Sequence, residues 1–234
     1  MKIVLGTAHL DVYSGKHSPD YRLREAVYSR QMVAEVKAIL ADMGYEVYVD
    51  YEPLKPCAAM KAMSQSKIQS RELSYRVKQV NALCDKFGAK NVMYVSLHND
   101  AIGNDCQWHD CGGFSVWTSV GQTQGDKIAE CIYDAWEKNA ADNYIKDFAE
   151  LQAKGVYGKK QRATRMDMSD GDRDKEAGYY VLTQTKCAAC LVEMLFQDNK
   201  SDVAFLLSDV GRQVLCRTIV EGIINYIEKY GEQK

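Results

Sequence analysis

Two histidines and a glutamate occupy positions that suit metal-assisted chemistry. His9 follows an apolar run at 3–5 that predicts a first strand, and His98 ends a second strand-like run at 91–97. Glu25 stands at the start of the first amphipathic helix. Two imidazoles and one carboxylate form the ligand set of a catalytic zinc site that keeps one position open for water. The carboxyl ends of strands in open α/β sheets meet in one crevice, so we expect these side chains to converge there.

Glu193 is a further glutamate of interest, because it lies inside the apolar run CLVEMLF at 190–196. An ionised carboxylate in a buried strand costs several kcal/mol unless it has a partner. It therefore indicates either an ion pair, for which segment 142–177 offers arginines, or a functional site. A carboxylate outside the ligand set of a metallohydrolase serves as the proton carrier, and this is our interpretation of Glu193.

Each assignment has an ordinary alternative. A histidine after a strand is commonly a hydrogen-bonded turn residue, and a glutamate in the first helical turn is commonly a cap or a partner of the helix dipole. The other two histidines, His17 and His109, lie in polar loops that fix neither on a strand end. We predict that they make substrate contacts at most.

The alternation of strand and helix periodicities predicts an α/β fold. We expect one catalytic domain over 1–234, with a twisted, mostly parallel or mixed sheet of about six strands flanked by helices, of the phosphorylase/hydrolase-like kind. Segment 142–177 is polar and weakly periodic, which favours a functional loop or lid, or else a solvated surface insertion. Predicted strands cover 2–8, 46–51, 91–97, 114–119, 179–182 and 188–196; predicted helices cover the stretch from Leu23 to Gly44 (buried stripe Val36, Ile39, Leu40, Met43), 66–87, 125–141 and 202–230.

Charge and hydropathy exclude several classes of partner. A net charge of -2 and a pI near 6.1 give no electrostatic basis for binding nucleic acid or an anionic membrane. No apolar stretch has the length of a membrane span, so we expect no stable membrane insertion. The N-terminal residues lack the apolar region and cleavage site of a signal peptide, which predicts a chain that is cytoplasmic when made.

Eight cysteines raise the question of redox or metal chemistry. Cys187 and Cys190 have C-x-x-C spacing, but there is no second such pair, and core packing is the favoured interpretation. Cys106, His109 and Cys111 form a polar cluster that could close a disulfide or bind a second metal. The cluster lacks a fourth ligand, and we interpret it as loop structure.

Four stretches, taken together and in order, resemble the zinc-dependent N-acetylmuramoyl-L-alanine amidases of the amidase type 3 family. They are Gly6-Thr7-Ala8-His9, Arg24-Glu25, the stretch from Arg76 to Asn81 with VSLHNDA at 95–101, and CLVEMLFQDN at 190–199. The family's first motif normally has the sequence D-P-G-H-G-G, whereas Leu10 and Asp11 follow the histidine here. The resemblance therefore implies a divergent member.

The resemblance implies zinc held by His9, Glu25 and His98, with Glu193 as the catalytic proton carrier. The bond cleaved would join N-acetylmuramic acid to the L-alanine of the stem peptide, so the partners are the muramic acid and stem peptide of peptidoglycan. Action on the cell wall, in the periplasm or outside the cell, would follow, as for an endolysin released from the cytoplasm. Segment 142–177 is then expected to shape the groove, with its arginines facing acidic groups of the stem (Arg162, Arg165 and Arg173).

Two other functions are compatible with these residues. A zinc peptidase or amidohydrolase of the same fold would cut another peptide or acyl-amino-acid amide. A wall-binding module without activity would keep the fold alone. Glu193 argues against the binding module, since pure binding has no use for a buried acid.

Overall fold

Six strands form one mixed sheet, as the sequence predicts. They are β1 (Lys2–Thr7), β2 (Val47–Val49), β3 (Val92–Asp100), β4 (Ser115–Thr118), β5 (Lys175–Glu176) and β6 (Ala188–Phe196). The protein is represented by a computed structural model that describes residues 1–231, so the last three residues of the predicted domain lie outside the described residues. The strand order is β2-β1-β3-β6-β4-β5. Strands β2, β1, β3 and β6 are mutually parallel, β4 is antiparallel to β6, and β5 is parallel to β4.

Helices cover both faces of this sheet. They are α1 (Glu25–Asp42), α2 (Gln65–Phe87), α3 (Gln124–Ala140), α4 (Lys146–Ala153), α5 (Tyr180–Thr183), α6 (Lys200–Leu206) and α7 (Asp209–Tyr230). Short 3-10 turns occur at Ala58–Met60 and Ala89–Asn91, and a π-helical turn at Ala141–Ile145 joins α3 to α4. Within the described residues, no helix combines the length and the apolar character needed to cross a membrane.

Alternate residues of the central strands pack into two hydrophobic layers. Ile3 and Leu5 of β1 pack in the layer that contains α1, α3 and α7, whereas Val4 packs in the layer that contains α2 and α5. Strands buried on both faces are apolar almost throughout, and this explains the continuous apolar runs of β1, β3 and β6. Against this background His98 and Glu193 are polar exceptions that need a reason.

The first helix differs from the prediction in its start and in its buried stripe. It begins at Glu25, two residues after the expected Leu23, and Gly44 follows its end with a φ of 88°. Val36 and Leu40 are buried as expected. Ile39 and Met43, which we expected in the same stripe, are 40% and 55% exposed. The packed face instead continues toward the start of the helix through Met32 and Val33.

Two predicted elements near the end of the chain are wrong. The residues 179–182, predicted as a strand, lie mostly in the short helix α5, and the fifth strand is the two-residue β5. The closing helix is also divided, because Ser208 caps a new helix by accepting a hydrogen bond from Gly211 N. The break separates α6 from α7.

The first part of segment 142–177 is more ordered than a loop or surface insertion. Its first part continues α3 through the π-helical turn into α4. Tyr144, Phe148 and Tyr157 are buried, and the last two rings stack with centroids 3.9 Å apart. The high charge of the segment hides this aromatic periodicity in the sequence. The part from Tyr144 to Tyr157 therefore belongs to the packed body of the fold, whereas 158–174 contain no helix and only an isolated bridge at Thr164, as expected of a loop.

A buried ion-pair network fastens α2 to the edge of the sheet where β1 and β2 end. Arg76 Nη1 donates to both carboxylate oxygens of Asp50 at 2.8 and 2.9 Å, and its Nη2 donates to Glu72 at 2.7 Å. Thr7 Oγ1 also accepts from Arg76, and Tyr94 OH donates to Asp50. Arg76 is 2% exposed, so its charge is compensated by these partners and not by water.

We predict that Arg76→Met destabilises the protein by about 3–5 kcal/mol, because it leaves two buried carboxylates without their cation. Urea unfolding measures this loss as a lower midpoint. The matched control is Arg71→Met on an exposed face of the same helix, which should change stability by no more than about 0.5 kcal/mol. Equal effects of the two substitutions would contradict the network.

Candidate metal centre and active site

His9, Glu25 and His98 meet at the edge of the sheet where the parallel strands end. His9 lies two residues beyond β1 and His98 near the end of β3, and the pairing of Thr7 with Leu97 brings these ends side by side. Glu25 is the first residue of α1, where the positive end of the helix dipole favours a carboxylate. The expected convergence of the three residues is thus present in the fold.

The three side chains form a compact donor set. Glu25 Oε1 lies 3.0 Å from His98 Nδ1 and 3.5 Å from His9 Nε2. One ligand atom from each residue lies within 4.8 Å of the other two, and residues 1–231 contain no second such group of histidine, cysteine, aspartate and glutamate. Two imidazole nitrogens and one carboxylate oxygen are a donor set that zinc favours at catalytic sites.

Hydrogen bonds hold Glu25 in place. The side chain is 1% exposed. Asn99 N donates to Oε1 at 3.3 Å, and Gln197 Nε2 donates to Oε2 at 3.3 Å. Lys16 Nζ lies 3.9 Å from Oε2. The N–H donors of Asn99 and Gln197 are therefore the groups that fix the orientation of this carboxylate, as outer hydrogen-bond partners do for metal ligands.

The protonation states also suit metal binding. Burial lowers the pKa of His9 to about 3, so its imidazole is neutral near pH 7. Burial alone would raise the pKa of Glu25, but His9, Lys16 and the hydrogen bond to His98 hold it below its usual range. A neutral imidazole and an ionised carboxylate are the forms that bind a metal ion, and no proton has to leave them first.

The backbone at His9 has an unusual conformation. Its φ is 37°, in a region that residues with a side chain seldom adopt. Arg30 Nη1 donates to Ala8 O at 2.8 Å, and Ala8 N donates to Ser29 Oγ at 2.8 Å. Helix α1 therefore holds this turn in a chain that lacks the glycines expected after the histidine.

Glu193 lies beside the donor set but outside it. On β6 it pairs in register with His98, and its Oε2 has no hydrogen-bond partner. Burial, Asp100 and Glu25 hold the pKa of Glu193 well above its usual range. Leu195, two residues further on, has a φ of 67° beside a register shift between β3 and β6. Bulges of this kind re-aim side chains near active sites.

The alternative of an ion pair for Glu193 finds no support in the described part of the chain. Arg173 pairs instead with three acidic residues of α3 (Glu130, Asp134 and Glu137). Arg165 donates to Cys111 Sγ at 2.9 Å, and Arg162 donates to backbone carbonyls. None of these arginines lines the pocket described below. Their predicted contact with a stem peptide stays a prediction.

A pocket of about 250 Å³ opens onto the donor set. Besides His9, His98 and Glu193, it is lined by Lys16 from the loop between β1 and α1, and by Tyr179 and Tyr180 at the start of α5. No sequence pattern assigns any of the last three to the site. Lys16 lies in a polar loop without periodicity, and the two tyrosines fall in the segment that was wrongly predicted as a strand.

The remaining histidines and cysteines lie elsewhere. His17 stacks on Tyr21, with ring centroids 3.9 Å apart, and His109 Nε2 lies 3.0 Å from Asp105 Oδ1. Neither histidine lines the pocket. Cys190 is buried, in agreement with core packing. All eight cysteines are free thiols, and Cys106, His109 and Cys111 do not assemble into a donor group.

The pKa of His9 predicts how the metal-free protein responds to pH. Unfolded His9 takes up a proton near its ordinary pKa of 6.5, whereas folded His9 excludes it down to about pH 3. The unfolded state therefore binds more protons within this window, and stability falls as the pH drops through it. Urea unfolding at about pH 5 and about pH 7.5 should show a smaller loss in His9→Gln than in the wild type. Equal losses in both proteins would contradict the buried neutral state of His9.

Comparisons with known proteins identify the family and the fold of this chain. Comparison with curated protein sequences gives no match. Among solved structures, the CwlD amidase of Clostridioides difficile, in complex with the GerS lipoprotein, is 13% identical with a TM-score of 0.71, over 97% of this chain and 98% of that one. The Ami1 amidase of Mycobacterium smegmatis is 16% identical with a TM-score of 0.66, over 98% and 97% of the two chains.

The catalytic domain of the CD27L endolysin, which targets Clostridioides difficile, is 19% identical with a TM-score of 0.59, over 96% and 97% of the two chains. At these identities the structural matches establish a shared fold. The family model of the N-acetylmuramoyl-L-alanine amidases matches residues 3–225, which is nearly the whole chain. The protein whose donor set and pocket are described above therefore belongs to the N-acetylmuramoyl-L-alanine amidase family.

Proposed function

We propose that this chain hydrolyses the amide bond between N-acetylmuramic acid and L-alanine in peptidoglycan, with zinc held by His9, Glu25 and His98. Family membership supports the reaction. The observation that carries the site assignment is the donor set with a buried, partnerless carboxylate beside it in one pocket. Residues 1–231 would act as one catalytic domain.

Zinc, when bound, supplies a Lewis acid that polarises the scissile carbonyl and lowers the pKa of a water molecule. Glu25 is already ionised and His9 already neutral, so the chain presents its ligands in their binding forms. Tyr179 and Tyr180 line the pocket, and a bound substrate packed against them would displace water from the reacting atoms.

Glu193 would move the proton. It takes a proton from the attacking water and returns it to the nitrogen of the leaving amine. Without a metal, burial and the nearby acids favour the protonated form of Glu193. A divalent charge at the donor set favours the ionised form, which is the form that a general base needs.

The proposed substrate also sets the place of action. Cleavage of stem peptides from muramic acid means that the protein works on the cell wall, outside the membrane. The peptide stem and the muramic acid would enter the pocket between Lys16 and the two tyrosines. The net charge of -2 gives no reason to add nucleic acid to this list of partners.

We predict that Glu193→Gln lowers kcat on purified peptidoglycan by about 10²–10⁴-fold, because the amide cannot accept the proton. Mass spectrometry of the digest identifies free stem peptides that begin with L-alanine. The matched control is Glu150→Gln, which changes an exposed residue of α4 and should leave kcat unchanged. Both variants should bind zinc as the wild type does.

A chelator should abolish release of the stem peptides, and added zinc should restore it. Loss of zinc from Glu193→Gln would make Glu193 a ligand and contradict its assigned role. Cuts within the peptide, with the muramic acid bond intact, would identify a zinc peptidase instead. A wild-type protein that binds zinc yet releases nothing from any wall type would contradict the proposed reaction.

A further inference from the structure

Lys16 is held beside the donor set by its own backbone. Its carbonyl oxygen accepts a hydrogen bond from Glu25 N at 3.0 Å, and the adjacent His17 forms an antiparallel bridge with Arg24. The loop between β1 and α1 is thereby fastened to the first residue of α1. The side chain of Lys16 starts from a fixed point and lines the same pocket as His9, His98 and Glu193.

The ammonium group of Lys16 has no hydrogen-bond partner among the described residues. Its nearest anionic atom is Glu25 Oε2 at 3.9 Å, which is too far for a hydrogen bond. Within the described residues, Nζ makes no other ion pair and no hydrogen bond. The side chain is 33% exposed, so a charge there is neither fully hydrated nor fully neutralised by the protein.

Arg76 is the other basic side chain that lines the pocket, and it is not available. Its guanidinium is bound to Asp50 and Glu72 at 2.7 to 3.0 Å. Lys16 is therefore the cation that the pocket offers to an incoming molecule. Its three N–H donors have no competing partner among the residues that surround them.

The orientation of Glu25 does not require Lys16. The carboxylate already accepts from Asn99 N and Gln197 Nε2, and it lies at hydrogen-bonding distance from His98 Nδ1. A lysine whose only task was to orient Glu25 would be expected within hydrogen-bonding distance. The longer separation leaves the donors of Lys16 without a hydrogen-bond partner in the pocket that this side chain lines.

We propose that Lys16 is a catalytic residue whose ammonium group donates to the oxygen of the scissile carbonyl and stabilises the oxyanion formed there. This proposal rests on the amide hydrolysis proposed above. A pre-positioned cation in a partly enclosed pocket is most effective where negative charge develops in the transition state. Lys16 would thus stabilise the negative charge on the oxygen, while Glu193 transfers the proton.

The bonds and protons balance without a further reactant. Water adds to the carbonyl carbon, its proton passes to Glu193, and the π electron pair of the carbonyl moves to the oxygen, where Lys16 holds it. When the intermediate collapses, the pair returns, the C–N bond breaks and Glu193 delivers the proton to the leaving nitrogen. Lys16 stays protonated throughout, and so it acts by its charge and its N–H donors.

The test compares Lys16→Met with Lys16→Arg and with the matched control Lys61→Met, whose lysine is exposed and outside the pocket. We expect Lys16→Met to lower kcat by about 10²–10³-fold with KM nearly unchanged. Lys16→Arg should recover at least about tenfold of this loss, because it restores the charge. Lys61→Met should match the wild type.

Zinc affinity, measured by competition with a chelator, distinguishes a catalytic role of Lys16 from a structural one. We expect Lys16→Met to bind zinc within about threefold of the wild type, whereas loss of a group that orients a metal ligand costs about 10–100-fold. A loss of the larger size would overturn the proposal. A rise in KM with kcat unchanged would also overturn it, since it would mean that Lys16 binds a substrate anion in the ground state.

Inorganic phosphate, a tetrahedral anion, tests the site independently of peptidoglycan. Calorimetry on the zinc-loaded proteins should show phosphate binding that is at least about tenfold weaker in Lys16→Met than in the wild type. Such dependence in a protein that cuts no peptidoglycan would overturn the proposed substrate and support the anion site. If Lys16→Met changes neither peptidoglycan cleavage nor phosphate binding, the proposed role of Lys16 is wrong. The proposed amidase function would be unaffected by that result.

Discussion

The buried carboxylate of Glu25 is the interaction on which the rest of the site depends. An ionised carboxylate that leaves water costs several kcal/mol unless its partners replace the lost hydration. Here the partners come from different parts of the chain: the backbone N–H of Asn99 on β3, the amide of Gln197 after β6, and His98. The first turn of α1 adds its dipole. Glu25 can be buried and ionised only when β3, β6 and α1 are all in place, so folding and assembly of the donor set are one event.

A second buried network supports the first from behind. Arg76 joins Asp50 and Glu72, and its Nη2 also lies 3.4 Å from the carbonyl oxygen of His9. Helix α2 thereby braces the same turn that Arg30 of α1 holds from the other side. A histidine in a sparsely populated backbone region needs such support on both sides, because the strain costs of order 1–3 kcal/mol. This chain keeps its imidazole in the pocket by bracing the turn and not by glycines.

The sequence predicts those parts of the fold whose structure follows from a single strong pattern in the sequence. Strands β1, β3 and β6 are continuous apolar runs, and an isolated charge such as Glu193 within one of them is conspicuous. His9, His98 and Glu25 are predictable because the ends of parallel strands and the start of the next helix must share one edge. Their actual distances, and the absence of an arginine partner for Glu193, depend on side-chain packing that no local pattern encodes.

For other parts of the fold, the sequence pattern is compatible with more than one local structure and does not decide between them. Residues 179–182 have strand-like composition, yet the short turn of α5 satisfies the backbone and turns Tyr179 and Tyr180 toward the pocket. The high charge of segment 142–177 predicts a loop or surface insertion, although three buried aromatic rings order its first half. Lys16 gives no signal at all, because only the three-dimensional closure of its loop onto Glu25 brings it to the pocket.

The most direct test of the metal centre is an anomalous-diffraction crystal structure of the zinc-loaded protein. We expect one zinc ion bound by His9 Nε2, His98 Nδ1 and a Glu25 oxygen at about 2.0–2.2 Å, with Glu193 close by but not coordinated. A zinc ion bound by Glu193, or one held instead by Cys106, His109 and Cys111, would contradict the central claim. In the first case the proton carrier would have to be another group, and in the second the catalytic pocket would lie elsewhere.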